Sequence, residues 1–271
     1  MLSRKKIVLM ILGFSILMTT AISAKEYNFA SSRYKYIGLF EKETKDQQID
    51  STMGLRDFRK IIKQRWSEGY DISEIKYGSG KWIGIFTKTA KETHQTYVVA
   101  RRWSGVNNIL PEYWKKGYYV TRIEHGLSEW IVVFEKNTPY TNQAFERRKN
   151  LDDFYAAVEK RWEEGFDLID LEYGQGRWTG IFAEGTGYKD QAMIIRSRWS
   201  EIVPLIESYW AKGYRISNIE STLGKWMCIF SKYDGAKGQG YETSETVAAL
   251  KKVFAKRQQK GFELMDLSEG W

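Results

Sequence analysis

The 271 residues carry 42 Lys and Arg against 34 Asp and Glu, a formal charge of +8. The two signs are interspersed, which gives a mild bias towards anionic partners and no indication of nucleic-acid binding. Cys228 is the only cysteine, so no intrachain disulfide is available and stability rests on core packing.

At the start of the chain Arg4, Lys5 and Lys6 precede an apolar run from Ile7 to Ile22, and small residues follow at Ala21, Ser23 and Ala24. This pattern predicts a secretory signal peptide over residues 1–24, cleaved after Ala24. The run falls short of the roughly 20 residues that span a bilayer; an uncleaved N-terminal anchor is the alternative. Cleavage takes the formal charge from +8 to +5 and implies a secreted or periplasmic protein with no transmembrane span in its mature part.

Beyond the leader, self-similarity dominates. Gly69, Gly117, Gly165, Gly213 and Gly261 stand 48 residues apart, preceded at three residues by Trp66, Trp114, Trp162, Trp210 and, at the fifth place, Gln258. A second tryptophan series, Trp82, Trp130, Trp178 and Trp226, keeps the same step, as do Gln95, Gln143, Gln191 and Gln239. Ahead of each glycine the apolar residues fall at helical spacing, as in Phe58, Ile61, Ile62 and Trp66, and the glycine suits the left-handed residue that ends a helix. A hairpin follows, Tyr70 to Ile75 and Trp82 to Phe86 around Gly78-Ser-Gly80, then a third strand from Gln95 to Val99. Each unit therefore reads helix, strand, strand, strand, with repeats at about 56–103, 104–151, 152–199 and 200–247 and a partial one at 248–271.

The partial repeat lacks its second strand. Tyr36-Ile-Gly-Leu-Phe40 copies Trp82-Ile-Gly-Ile-Phe86 and has no helix before it, so residues 33–43 supply that strand. The expected fold is α+β: residues 25–271 as a single five-repeat domain, a closed ring of helix plus three-strand units joined by the N- and C-terminal strands, because an open array would leave exposed edges and need polar caps. The element order resembles a circular permutation of the five-fold pentein α/β propeller, a likeness without functional weight.

Trp210-Ala-Lys-Gly213-Tyr214-Arg-Ile216-Ser217, Gly224-Lys-Trp226, Phe230-Ser-Lys232 and Gln239-Gly-Tyr241 resemble the tandem repeats that follow the kinase domain of plant casein kinase I-like kinases, and similar bacterial repeats. The resemblance spans essentially all of the mature chain and implies an accessory domain with no settled role. It implies no kinase activity, since the phosphate-cradling loop, His-Arg-Asp and Asp-Phe-Gly are missing.

Residues present in every unit hold the unit together, so the repeated tryptophans and glutamines read as structural, the glutamines satisfying nearby backbone groups; the alternative for the glutamines is a ring of amides facing a channel. Gly174-Gln-Gly176 and Gly185-Thr-Gly187 are turn glycines with no helix after them. His94 and His125 have no partners at metal-ligand spacing, Cys228 replaces a strand residue, and Asp152-Asp153 and Glu163-Glu164 are helix-surface pairs. No catalytic residue, metal set or cofactor motif is therefore expected. Units one, three and five carry Arg65, Arg161 and Arg257 where units two and four carry Tyr113 and Tyr209. The best binding patch is Arg101, Arg102 and Trp103 with Arg196, Arg198 and Trp199, where Arg beside an exposed Trp would pair with anions and stack on sugars. The functional expectation is an exported, non-catalytic binding or scaffold module for a glycan, an anionic envelope polymer or a protein. The alternative is a polymer hydrolase of the glycosidase kind, with acids at Asp71, Asp167 and Glu263.

Overall fold

The computed structural model describes residues 35–89 and 94–270. The expected signal peptide, the first two residues of the 33–43 strand and Trp271 lie outside the described residues.

Five units each combine three antiparallel strands and one helix. The first unit contains β2 (Gln47–Thr52), α1 (Leu55–Ser67), β3 (Tyr70–Gly78) and β4 (Lys81–Lys88); the second β5 (Thr96–Ala100), α2 (Trp103–Lys115), β6 (Tyr119–Gly126) and β7 (Glu129–Glu135). The third contains β8 (Asn142–Arg148), α3 (Leu151–Glu163), β9 (Asp167–Gly174) and β10 (Arg177–Glu184). The fourth contains β11 (Asp190–Arg196), α4 (Trp199–Ala211), β12 (Tyr214–Thr222) and β13 (Lys225–Lys232). In the fifth, β14 (Gln239–Ser244), α5 (Val247–Gln259) and β15 (Phe262–Gly270) take their central strand from β1 (Lys35–Lys42). Gly38 lies opposite Leu267 on one side and Glu242 on the other.

The phase of the unit differs from the sequence expectation. The strand after each hairpin does not join that hairpin; β5 pairs with β7, and β2, which the sequence reading did not identify, pairs with β4. Each unit is therefore strand, helix, strand, strand, with the hairpin's second strand in the middle. A 48-residue period has the same spacing wherever the unit is cut, so periodicity leaves this phase open.

The helix covers one face of its sheet. Trp82, Trp130, Trp178 and Trp226 are fully buried beneath it, and the glycine after each helix takes a positive φ, 83° at Gly69 and 93° at Gly165, which relieves the last turn at no steric cost. The strands after the helices, β3, β6, β9, β12 and β15, are the inner ones. β3 packs on β6, β6 on β9, β9 on β12, β12 on β15 and β15 on β3.

The alternation of unit types is a packing device. In units one and three Phe58 and Phe154 stack on Trp82 and Trp178, over Gly84 and Gly180. In units two and four the helix offers Val106 and Ile202 there, the strand fills in with Val132 and Cys228, and the aromatic comes from the first helical residue, Trp103 or Trp199, packed edge-on against Trp130 or Trp226. The helix-to-strand link alternates too. Arg65, Arg161 and Arg257 pair with Asp50, Glu146 and Glu242, while Tyr113 and Tyr209 stack on Phe134 and Phe230.

Candidate site at the inner strands

Every inner strand carries a register shift near its middle, between Ile72 and Glu74 in β3 and at the equivalent place in the other four. An extra residue reverses which alternate positions face the core. Ile72 and Ile75 thus both enter the core under α1, and Asp71, Glu74 and Lys76 turn the other way, towards the neighbouring inner strands.

Two polar layers result. In one, the Lys76 ammonium meets Glu124 at 3.2 Å, Glu172 at 3.1 Å and also Glu220; Ser268 holds the fifth place. In the other, Arg122 Nε donates to Glu74 at 2.9 Å, Asn218 donates to Asp170 at 3.1 Å, and Asp266 holds the fifth place. These carboxylates also accept backbone N–H groups across unit boundaries, Ile123 to Asp170 and Ile219 to Asp266 at 2.6 Å each and Tyr77 to Glu124 at 2.8 Å. Burial pushes Glu124 and Glu220 up to about 8 and Asp266 to about 7, and raises Glu172 and Glu74 well above the carboxylate range. Lys76 is held well above its ordinary value by the three glutamates, against the opposing effect of its burial. The carboxylates and cations of the layers partner one another and join the units, while Asn218 Oδ1 and the Ser268 hydroxyl are buried without a hydrogen-bond partner.

A cavity of about 240 Å³ opens above the Arg122 layer, at the end of the strands away from the hairpin turns, and Asp71, Glu135, Glu263, Lys45 and Arg122 line it with several Ser and Thr. About a quarter of the Arg122 side chain stays accessible. Glu135 occupies the strand position held by Glu41, Thr87, Ala183 and Ser231 in the other units. Burial, helped by the Asp71 charge and opposed by Arg122, pushes it up to about 7. Lys45 pairs with Glu263 at 3.0 Å and Thr89 donates to Asp71 at 2.9 Å. Asp167 lies in a separate recess with Thr186 and Tyr188, where it accepts a hydrogen bond from the Thr186 hydroxyl. Two of the three acids singled out in the sequence thus come together, and Asp167 does not join them. Sequence reasoning missed Glu135 and Arg122; the signal for Arg122 was a cation at a position that is carboxylate or amide in its copies, and for Glu135 a carboxylate shared only with Glu41.

The Arg/Trp patch divides. Trp103 and Trp199 are buried, with their rings against Trp130 and Phe145 and against Trp226 and Tyr241, so no ring face is offered for stacking on a sugar. Arg101, Arg102 and Arg198 are exposed and Arg196 is half-buried. The glutamines are staples: Gln143 Oε1 accepts from Val120 N at 2.8 Å and Trp114 Nε1 at 3.1 Å, and its Nε2 donates to Val120 O at 2.6 Å. Gln95, Gln191 and Gln239 repeat this at Ile72, Leu168 and Ile216, and Gln47, overlooked in the sequence, does so at Leu264. Cys228 is fully buried and its thiol is pushed up by burial. His125 packs on Trp130. Among the described residues no three His, Cys, Asp or Glu are placed to hold a metal ion, and no helix is long and apolar enough to cross a membrane.

Fold and site define a protein of five α+β repeat units with polar residues gathered between their inner strands. The chain belongs to the family described as a domain of unknown function (DUF7477), whose model matches residues 24–261. No curated protein matches it.

Proposed function

We propose that the chain is an exported binding module in which the five units close into a propeller-like ring, and that the ring presents the cavity above Arg122 to a neutral glycan. Three things support closure: the contact of β15 with β3, the completion of the fifth sheet by β1, and the Gln47 staple across the first and fifth units. Export rests on the residues of the 1–24 leader. The likeness to the repeats beside plant casein kinase I-like kinases adds no activity to this reading.

The observation that carries the ligand class is the chemistry of the cavity. Its two cations are already paired, Lys45 with Glu263 and Arg122 with Glu74, and its acids would repel an anionic polymer. Carboxylate, hydroxyl and guanidinium groups side by side suit a ligand that exchanges many neutral hydrogen bonds, as sugar hydroxyls do. Titrating the protein with a panel of neutral oligosaccharides is expected to give binding that weakens about tenfold in Asp71→Asn and Glu135→Gln, the loss of one or two charged hydrogen bonds. Absence of binding across the panel, or binding indifferent to both substitutions, overturns the proposal.

One observation favours the hydrolase reading: Glu135 is pushed up to about 7 in the cavity that Asp71 also lines, as suits a carboxyl serving as general acid. Release of reducing ends from the same oligosaccharides, abolished in Glu135→Gln, would replace the binding module by an enzyme.

A further inference from the structure

Met53, Leu127 and Leu223 are the exposed large apolar side chains among the described residues, 71%, 52% and 66% accessible. All three lie at the hairpin-turn end of their sheets. Leu127 and Leu223 occupy the β6–β7 and β12–β13 turns, and Met53 follows Thr52, which pairs with Trp82 beside the β3–β4 turn. Turns contact the neighbouring unit at this end, Ser79 with Glu269 of β15 and Gln175 with the Arg101 carbonyl after β5. Both leucines sit at a φ of 49°, where a side chain is disfavoured and where such turns ordinarily use Asn, Asp or Gly.

The surroundings are basic. Arg101, Arg102, Arg177 and Arg198 are exposed at the same end, and exceed the acids there, of which Asp152, Asp153 and Glu245 are exposed and Glu201 lies beside Arg198. The chain also enters here: β1 opens at Lys35, opposite Gly270.

Single exposed leucines are ordinary. Apolar turn tips among arginines complement a bilayer with anionic headgroups, because tips enter the acyl boundary while guanidinium groups pair with lipid phosphates. We infer that the hairpin-turn end docks on an anionic lipid bilayer and holds the opposite end, with its cavity, towards the aqueous phase.

The test uses the full chain labelled with an environment-sensitive fluorophore at Leu127→Cys or, on the opposite end, at Asp234→Cys, mixed with vesicles of 30% phosphatidylglycerol in phosphatidylcholine or of phosphatidylcholine alone. A blue shift is expected at 127, not at 234, and only with phosphatidylglycerol. Unlabelled Leu127→Ser/Leu223→Ser and Arg101→Glu/Arg102→Glu variants should each bind those vesicles about tenfold more weakly. Equal binding by all variants would mean that the leader alone holds the chain and would overturn the proposal. So would binding to soluble heparin with no shift at 127 on vesicles, which would make this end a polyanion site.

Discussion

The repeated glutamines satisfy a strand interrupted by its own bulge. Gln191 is fully buried, accepts from Leu168 N at 2.8 Å and Trp162 Nε1 at 2.7 Å, and donates to Leu168 O and the Ser231 hydroxyl at 2.9 Å each. Replacing it with Leu keeps the volume and strands several buried polar groups, each of which costs about 1–3 kcal/mol when left without a partner. Gln191→Leu is therefore expected to lower the unfolding free energy by about 3 kcal/mol or more. Gln95 makes the same bonds to Ile72 in a half-buried setting, where water can take its place, so Gln95→Leu should cost about 1 kcal/mol. Urea midpoints of the two variants check this, and equal losses would show that burial does not govern the staple.

At the scale of elements, each helix and its sheet share one volume between two designs. A Cβ added at Gly84 would lie 2.6 Å from the Phe86 ring and 3.0 Å from that of Phe58, so Gly84→Val is expected to cost about 1–3 kcal/mol by overpacking. Unit two already combines Val106 with Val132. Adding Phe58→Val to Gly84→Val should therefore recover part of the loss, with a favourable coupling of about 1 kcal/mol in a double-mutant cycle. Simple additivity would refute the shared-volume account. The sequence disclosed the alternation of Arg65 with Tyr113 but not its meaning, because Asp50 and Glu146 lie on a strand whose pairing the period leaves open. Gln47 escaped notice for a related reason: its staple lies between the first and last units, and Gln258 stands where a tryptophan would have marked the site.

For the whole molecule, the polar layers were the least legible part. Self-similarity finds like residues at like positions, whereas Lys76, Glu124, Glu172, Glu220 and Ser268 are related only by contact. Their consequence is a pH dependence of stability with an uncommon sign. Buried carboxyls held at about 7 to 8 in Glu124, Glu220, Asp266 and Glu135 keep protons that the unfolded chain releases near pH 4. Between those limits the folded state binds more protons, so the unfolding free energy falls as pH rises, by about 1.4 kcal/mol per pH unit for each proton retained, and levels off above about pH 8. Glu43, whose carboxyl Lys237 lowers, acts in the opposite sense only below the ordinary carboxylate range, and Lys76 adds a further loss only above its ordinary value near pH 10. The urea midpoint should accordingly be higher at pH 5 than at pH 8, and Glu220→Gln, which removes one titrating carboxyl while leaving a neutral partner for Lys76, should flatten the slope between them. A midpoint that rises from pH 5 to pH 8 would mean that these carboxyls are ionised in the folded protein and that Lys76 and Arg122 together neutralise the layers.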